Sequence, residues 1–242
     1  MEIIEIELMM MRSWPALEEK TYDGWIMRFS EGYTKRANSI NPMYESYFDL
    51  EEKYEYCRKL YEEKKLSMIF KIMESDNFKD VDNFLENKGL QKRELVIIKE
   101  IDIEEINYNI EKINISWGFD KKWFDFFSLE NKLSSKEEKI LKKILDKNTN
   151  NNIYFSKEIK GEIVACGMAV VEEARIGIFN IFVKENKRKK GYATEIIKAI
   201  LVEARKINIR KGYLQVINNN EHAIKLYKKM GFEEKYRTWY RY

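Results

Sequence analysis

From residue 152 onward the apolar positions fall in short blocks bounded by turns. Residues 153–156, 162–171 and 176–183 are rich in Ile, Val, Phe and Ala, and are separated by Lys160-Gly161 and by a turn at 172–175. That pattern predicts three antiparallel strands. After Gly191 the period changes: Ala193, Ile196, Ile197, Ile200, Leu201 and Ala204 recur at three and four residues, as on one face of an amphipathic helix. Residues 213–217 read as a strand. A second helix comes next over about 220–230, with Ala223, Leu226, Tyr227 and Met230 on one face and Gly231 as its C-terminal cap. Residues 232–242 supply the last strand.

The first hundred residues repeat part of this order. Residues 67–72 predict a strand, 78–87 a helix with Val81, Phe84 and Leu85 inward, and 94–101 a strand after Gly89-Leu90. Strand, helix, Gly-apolar turn, strand is also the order of residues 213–242, which points to an internal duplication. Upstream, 25–30 and 35–40 read as strands and 50–66 as a helix with Tyr54, Cys57, Leu60 and Tyr61 spaced for burial. Between the halves, Ser134-Ser135-Lys136-Glu137-Glu138 reads as a helix start and 147–152 as a polar turn. The expected division is a first domain over 1–101 and a second over 102–242.

Composition narrows the chemistry. The 242 residues, with 44% apolar and 14% aromatic side chains, can fill two cores. Forty-four basic against 41 acidic residues leave +3, too even a balance for a surface tuned throughout to nucleic acid. The N-terminus is acidic where a secretory signal is basic, and the longest apolar run, 163–171, is roughly half of the ~20 residues a membrane helix needs. A cytoplasmic chain without membrane contact is the expectation. Cys57 and Cys166 are far apart and His222 is the one histidine, so neither a disulfide framework nor a metal site is expected. Any Ser-His-Asp or Cys-His system would have to rest on His222 alone. Backbone amides, tyrosine, carboxylates or a bound cosubstrate remain.

The informative segment lies between the strand at 176–183 and the helix after Gly191: Lys184-Glu185-Asn186-Lys187-Arg188-Lys189-Lys190-Gly191-Tyr192-Ala193-Thr194. A helix N-terminus offers unpaired N–H groups and the positive end of the dipole, and Gly with Ala lets backbone approach an anion closely. Five cations against Glu185 give the segment +4, suited to a multiply charged phosphate ligand such as a pyrophosphate. Read alone, such a run is also compatible with a solvated basic turn.

Arg188-x-x-Gly191-x-Ala193, succeeded after one strand by Asn220-x-x-Ala223-x-x-Leu226-Tyr227-x-x-x-Gly231-Phe232, resembles the GCN5-related N-acetyltransferase (GNAT) superfamily. The resemblance covers residues 152–242. It implies an α/β fold of tandem GNAT-like halves, each a mixed, mostly antiparallel twisted sheet flanked by helices, with the first half degenerate. It also implies an N-acetyltransferase that takes acetyl-CoA as cosubstrate and a small-molecule or peptide amine as acceptor, by direct attack in a ternary complex. By the same resemblance Ile181, Phe182 and Val183 pair with the pantetheine arm, and the amides of Arg188, Lys189, Lys190, Gly191, Tyr192, Ala193 and Thr194 wrap the pyrophosphate. Asn220 hydrogen-bonds the cofactor arm. Tyr227 stands near the thioester sulfur, where a phenol can protonate the departing thiolate.

The sequence also departs from the superfamily's pattern. Glu185 replaces the common Pro, Lys189 replaces the usual Gly, and the strand at 176–183 lacks the glutamate many relatives use as base. Glu162, Glu172, Glu173 and a water relay from Asn180 are the candidates. A non-catalytic acyl-CoA sensing module and an RNA-binding aminoacyl-type transferase stay open as alternatives. The aromatic group Trp117, Phe119, Trp123, Phe124, Phe126 and Phe127 serves either core packing or an acceptor pocket. In the first half, residues 24–39 resemble the N-terminal segment of a two-part bacterial subgroup. Arg28, Thr34, Arg36 and Asn38 there either border the acceptor site or hold a hairpin by hydrogen bonds. His222 is expected to be exposed or capping, and Cys166 a core residue. The strand at 232–242 is expected at an edge, free to pair across a homodimer.

Overall fold

A computed structural model describes residues 2–104, 106, 108–110, 112–148 and 151–242, with only the backbone of Glu2. The elements in chain order are α1 (Glu2–Ser13), β1 (Glu18–Tyr22), β2 (Trp25–Phe29), β3 (Ile40–Pro42), α2 (Leu50–Glu63), β4 (Phe70–Met73), α3 (Lys79–Asn87) and β5 (Lys92–Asp102). They continue with β6 (Asn114–Trp117), α4 (Lys121–Glu130), α5 (Ser135–Asp146), β7 (Asn152–Ile159), β8 (Glu162–Glu172) and β9 (Arg175–Val183). The chain ends with α6 (Tyr192–Lys206), β10 (Lys211–Ile217), α7 (Glu221–Lys229) and β11 (Glu233–Arg241).

The chain divides into two compact units, one of Met1–Ile98, Val216–Asn220 and Lys235–Tyr242, the other of Lys99–Gln215 and Glu221–Glu234. The C-terminal strand, however, returns to the first unit, because β11 pairs antiparallel with β4 from Thr238↔Met73 to Arg241↔Phe70. The strand order there is β1-β2-β3-β4-β11-β5. Residues 232–242 are therefore no edge strand, contrary to the expectation from sequence, but lie between β4 and β5 with both ladders occupied. A dimer through β11 is excluded on that ground.

In the first unit Trp25, Met27, Ile40, Cys57, Tyr61, Phe70, Leu85 and Trp239 form one buried core. Residues 35–40 differ from the strand expected: Lys35–Ala37 is a single 3-10 turn and the strand is confined to Ile40–Pro42. Asn38 explains the break, since its side chain accepts from the amides of Ser30 (2.7 Å) and Gly32 (3.0 Å) and donates to Thr34 O (2.8 Å), an alternative to ladder pairing. The helix α1 and the short β1 have no marked period in the sequence.

In the second unit β7, β8 and β9 are antiparallel as expected, β6 adds to β7, and β10 joins β9 in parallel. The crossover between β9 and β10 is α6, whose Ile196, Ile197, Ile200, Leu201 and Ala204 are all buried. The helix start predicted at Ser134 is a full capping box: Ser134 Oγ accepts from Glu137 N and the Glu137 carboxylate accepts from Ser134 N. Of the polar turn expected at 147–152, Thr149 and Asn150 lie outside the described residues.

Candidate active site

Two irregularities shape the end of β9. The β8–β9 ladder runs to Met168↔Phe179 and resumes at Cys166↔Phe182, so one residue more is spent on β9 than on β8, a β-bulge. Asn180 sits in it with φ 52°, a left-handed conformation that Asn tolerates better than most residues. In addition, the pairing of β9 with β10 extends from Lys211↔Arg175 to Leu214↔Ile178 and, among the described residues, no further. Beyond Ile178 the backbone of β9 is thus released from β10.

Gly167 lies opposite the bulge, and a Cβ there would stand 2.5 Å from Ile196 Cγ2 and 2.6 Å from Ile181 Cδ1. Only glycine lets α6 seat on the sheet at this level. Trp123 Nε1 donates to Gly167 O at 2.8 Å and fixes α4 at the same point. Gly167 is absent from the residues singled out by sequence, although a glycine inside an otherwise apolar strand is the expected mark of a bulge or close approach.

The turn after β9 combines cations with a helix N-terminus. Past the 3-10 turn Glu185–Lys187, Arg188 is extended and Lys189 (φ 62°) and Gly191 (φ 85°) are both left-handed. Tyr192 then begins α6. A Cβ at Gly191 would meet nothing within 4 Å, so the space in front of the turn is open. Gly191 has no side chain to cap the helix, and the N–H groups of the first turn, Tyr192, Ala193 and Thr194, have no intrahelical acceptor. Lys184 is held by Glu162 and, at 3.5 Å, by Glu130. Arg188, Lys189 and Lys190 are exposed and form no ion pair among the described residues. Cationic charge and free donors therefore converge on one helix end.

Tyr227 is placed by the end of α7. Gly231, with φ 94°, is the left-handed residue of a Schellman cap: its amide donates to Lys228 O (3.1 Å) and the amide of Phe232 to Tyr227 O (3.0 Å). The rings of Tyr227 and Phe232 meet edge to face at 5.7 Å. Burial pushes the Tyr227 phenol up to about 12. The first unit contains the same cap at the end of α3, with Gly89 at φ 86° and bonds from Gly89 N to Glu86 O (2.8 Å) and Leu90 N to Leu85 O (3.1 Å). There the residue in Tyr227's place is Leu85. The two caps share their spacing, and the first lacks the phenol.

The other residues singled out by sequence take distinct places. Ile181, Phe182 and Val183 are half-buried at the released end of β9, and Asn220 is exposed immediately before α7. His222 is exposed in the first turn of α7 and Cys166 is buried. Glu162 is committed to Lys184, whose ammonium lowers its carboxyl pKa. Glu172 and Glu173 lie at the β8–β9 turn, where Glu172 pairs with Arg175, five residues or roughly 17 Å of strand from Asn180 in the bulge. None of the three carboxylates is suited to act as base at the bulge. Trp123 and Phe127 are core, stacked at 5.0 Å, whereas Phe126 leans on Phe182 at 6.2 Å and reaches the end of β9. Arg28 is buried, bound to Glu19 and to the carbonyls of Met11, Trp14 and Arg36, and Thr34 Oγ1 accepts from Trp14 Nε1. With Asn38 they hold the hairpin, the structural of the two roles weighed for them.

Among the described residues no helix is long and apolar enough to cross a membrane, and no group of acidic, His and Cys side chains could hold a metal. Residues 1–242 match the family model described as "Probable histone acetyltransferase Rv0428c C-terminal". The uncharacterized N-acetyltransferase YobR of Bacillus subtilis (strain 168) is 28% identical over 240 residues, 96% of this chain and 94% of that protein. Among solved structures, a GCN5-related N-acetyltransferase from Kribbella flavida superposes with a TM-score of 0.71 at 8% identity, covering 98% of this chain and 94% of that one. A tandem GNAT protein from the clavulanic acid biosynthesis pathway gives 0.63 at 10% identity, over 79% of this chain and 68% of that one. With an open turn before α6, a capped tyrosine at the end of α7 and a match along its whole length, the chain belongs to the Rv0428c C-terminal family and is a GNAT-type N-acetyltransferase.

Proposed function

We propose that this N-acetyltransferase takes acetyl-CoA as donor and a primary amine as acceptor, the two bound together and the amine attacking directly. The observation that carries the reading is the turn at Lys189 and Gly191, whose paired left-handed residues leave the first amides of α6 facing open space. Arg188, Lys189, Lys190, Gly191, Tyr192, Ala193 and Thr194 would hold the diphosphate through backbone N–H groups and local charge. Ile181, Phe182 and Val183 would pair with the pantetheine amides, since β10 does not claim their backbone. Asn220 would bind the arm through its side-chain amide.

Acetyl-CoA brings an activated thioester, and the side chains and amides around it direct the transfer. Tyr227, kept protonated at neutral pH because burial pushes its pKa up to about 12, acts as the acid by donating a hydrogen bond that stabilises the thiolate as it leaves. A released N–H of β9 polarises the acyl oxygen, a contribution of about 3 kcal/mol for one well-placed donor. No carboxylate of β8 or β9 is placed to take the amine's proton, so the amine enters neutral and sheds that proton to water after attack.

Thiol release from acetyl-CoA, measured against a panel of small amines, amino acids and lysine peptides, tests the proposal. Release that depends on an amine and yields the N-acetyl product supports it. Binding of acetyl-CoA with no release across the panel would leave a non-catalytic acyl-CoA module in its place.

A further inference from the structure

The first unit presents a rigid aromatic loop that the transfer chemistry does not use. Between β3 and α2, Tyr44, Tyr47 and Phe48 are 51%, 92% and 49% exposed. Such exposure is ordinary in a loose loop, but this one is pinned. The Asp23 carboxylate accepts from Ser46 Oγ (2.8 Å), Tyr47 N (3.0 Å) and Phe48 N (2.9 Å). Those bonds hold its pKa well below the carboxylate range, against burial, which acts to raise it. Lys53, fully buried, sits 3.2 Å from Asp23, and its ammonium lies 4.3 Å from the centre of the Trp25 ring. The amides of Met43 and Tyr44 both donate to Gly24 O at 3.1 Å. Gly24, at φ 78°, has no room for a Cβ, which would fall 2.5 Å from Glu45 O. A buried ion pair is thus spent on holding three rings outward.

The charge around the rings selects the partner. Residues 44–52 contain Glu45, Asp49, Glu51 and Glu52 and no cation; Lys53 points inward, Lys88 pairs with Glu51 and Lys20 lies 5.1 Å over the Tyr56 ring, so four carboxylates stand against two cations there. Tyr22, stacked on Tyr56 at 4.0 Å and touching Phe48 at 5.6 Å, extends the aromatic surface. Aromatic faces rimmed by carboxylates attract cations, by the ring quadrupole and by Coulomb attraction together, and a preorganised loop loses little entropy on binding. We infer that this loop is a docking surface for a lysine- and arginine-rich polypeptide segment. The surface does not depend on the proposed transfer chemistry, although a basic protein bound there would be a candidate acceptor.

Fluorescence anisotropy with a fluorescein-labelled twelve-residue Lys/Arg/Gly peptide, without acetyl-CoA, separates this inference from the enzymatic one. The wild type should bind it, the affinity should fall as salt rises, and a Glu/Gly peptide of equal length should not bind. Tyr47→Ala/Phe48→Ala should weaken binding at least tenfold and Glu45→Lys severalfold, with melting temperatures unchanged because both sites face solvent. Equal affinity in wild type and variants would overturn the inference, as would no binding of the basic peptide. Sedimentation showing self-association abolished by Tyr47→Ala/Phe48→Ala, with no peptide binding, would assign the surface to a second copy of the chain instead.

Discussion

Phe232 holds Tyr227 twice, by an amide-to-carbonyl hydrogen bond of 3.0 Å and by an edge-to-face ring contact at 5.7 Å. The six-residue span from Tyr227 to Phe232 is therefore one device, a helix cap whose outer residue packs on the side chain it positions. The spacing L-Y-x-x-x-G-F in the sequence is the written form of that geometry.

Replacing Tyr227 by Phe removes the proton and keeps the ring. Turnover should fall ~100-fold or more, the range for loss of a general acid, while acetyl-CoA affinity changes little. Gly231→Ala should act more weakly through the cap: the left-handed backbone costs a residue with a Cβ ~1–2 kcal/mol, read as a lower melting temperature with a smaller loss in turnover. Steady-state kinetics beside thermal melts separate the two. In the pH profile, Tyr227 should contribute no alkaline decline below about pH 11, since its pKa is about 12 and the protonated form is the active one.

Two glycines should fail in different ways. At Gly167 an added Cβ lies 2.5 Å from Ile196 Cγ2, so Gly167→Ala should cost about 2 kcal/mol by overpacking and lower the melting temperature by roughly 4–8 °C. At Gly191 the same methyl meets nothing within 4 Å. Gly191→Ala should melt a few degrees lower, because its left-handed backbone (φ 85°) costs a residue with a Cβ ~1–2 kcal/mol, and should also bind acetyl-CoA roughly tenfold more weakly, about 1.4 kcal/mol, because the methyl stands where the diphosphate would.

Charge reversal in the turn gives a salt-sensitive loss. Lys189→Glu/Lys190→Glu should raise the acetyl-CoA dissociation constant about tenfold at low ionic strength, and the gap to wild type should narrow in 0.5 M salt, where exposed charges are screened over ~4 Å. A gap independent of salt would place these side chains away from the ligand.

Acid stability should depend on Asp82. Burial acts to raise its carboxyl pKa, but hydrogen bonds from Arg241 Nε (2.7 Å), Arg241 Nη2 (2.9 Å) and Trp239 Nε1 (2.8 Å) outweigh it, and the net shift is downward. A carboxylate with a depressed folded pKa contributes stability above its unfolded value near 3.9, lost as pH falls through the folded value. Asp82→Ala leaves the buried Arg241 guanidinium only Leu90 O and the more distant Glu86, and should cost about 2 kcal/mol at pH 7, with the difference from wild type shrinking below about pH 4. Urea unfolding at pH 7 and pH 3 reads both.

The second unit is legible in sequence because its periods are unambiguous: the apolar blocks at 153–183 and the three-and-four spacing after Gly191 correspond to β7, β8, β9 and α6 within a few residues. The anion turn is legible because glycine, charge and helix start coincide within Arg188–Thr194. Less can be read where tertiary context decides. β11 looks like a terminal edge strand in sequence, and only its partners β4 and β5 bury it. The bulge at Asn180 leaves a trace in Gly167, but its meaning depends on α6 lying across it. Arg28, which in sequence could serve either the acceptor site or the hairpin's hydrogen bonds, is the buried knot that three carbonyls tie.

Nuclear magnetic resonance of the 15N-labelled protein, titrated with acetyl-CoA, reports directly on the main-chain donors on which cosubstrate binding is proposed to rest. Saturable shifts concentrated in the amides of Arg188 to Thr194, reproduced by CoA and reduced in Gly191→Ala, are the predicted result. Saturable binding that leaves those amides unmoved, or no binding at all, would contradict it.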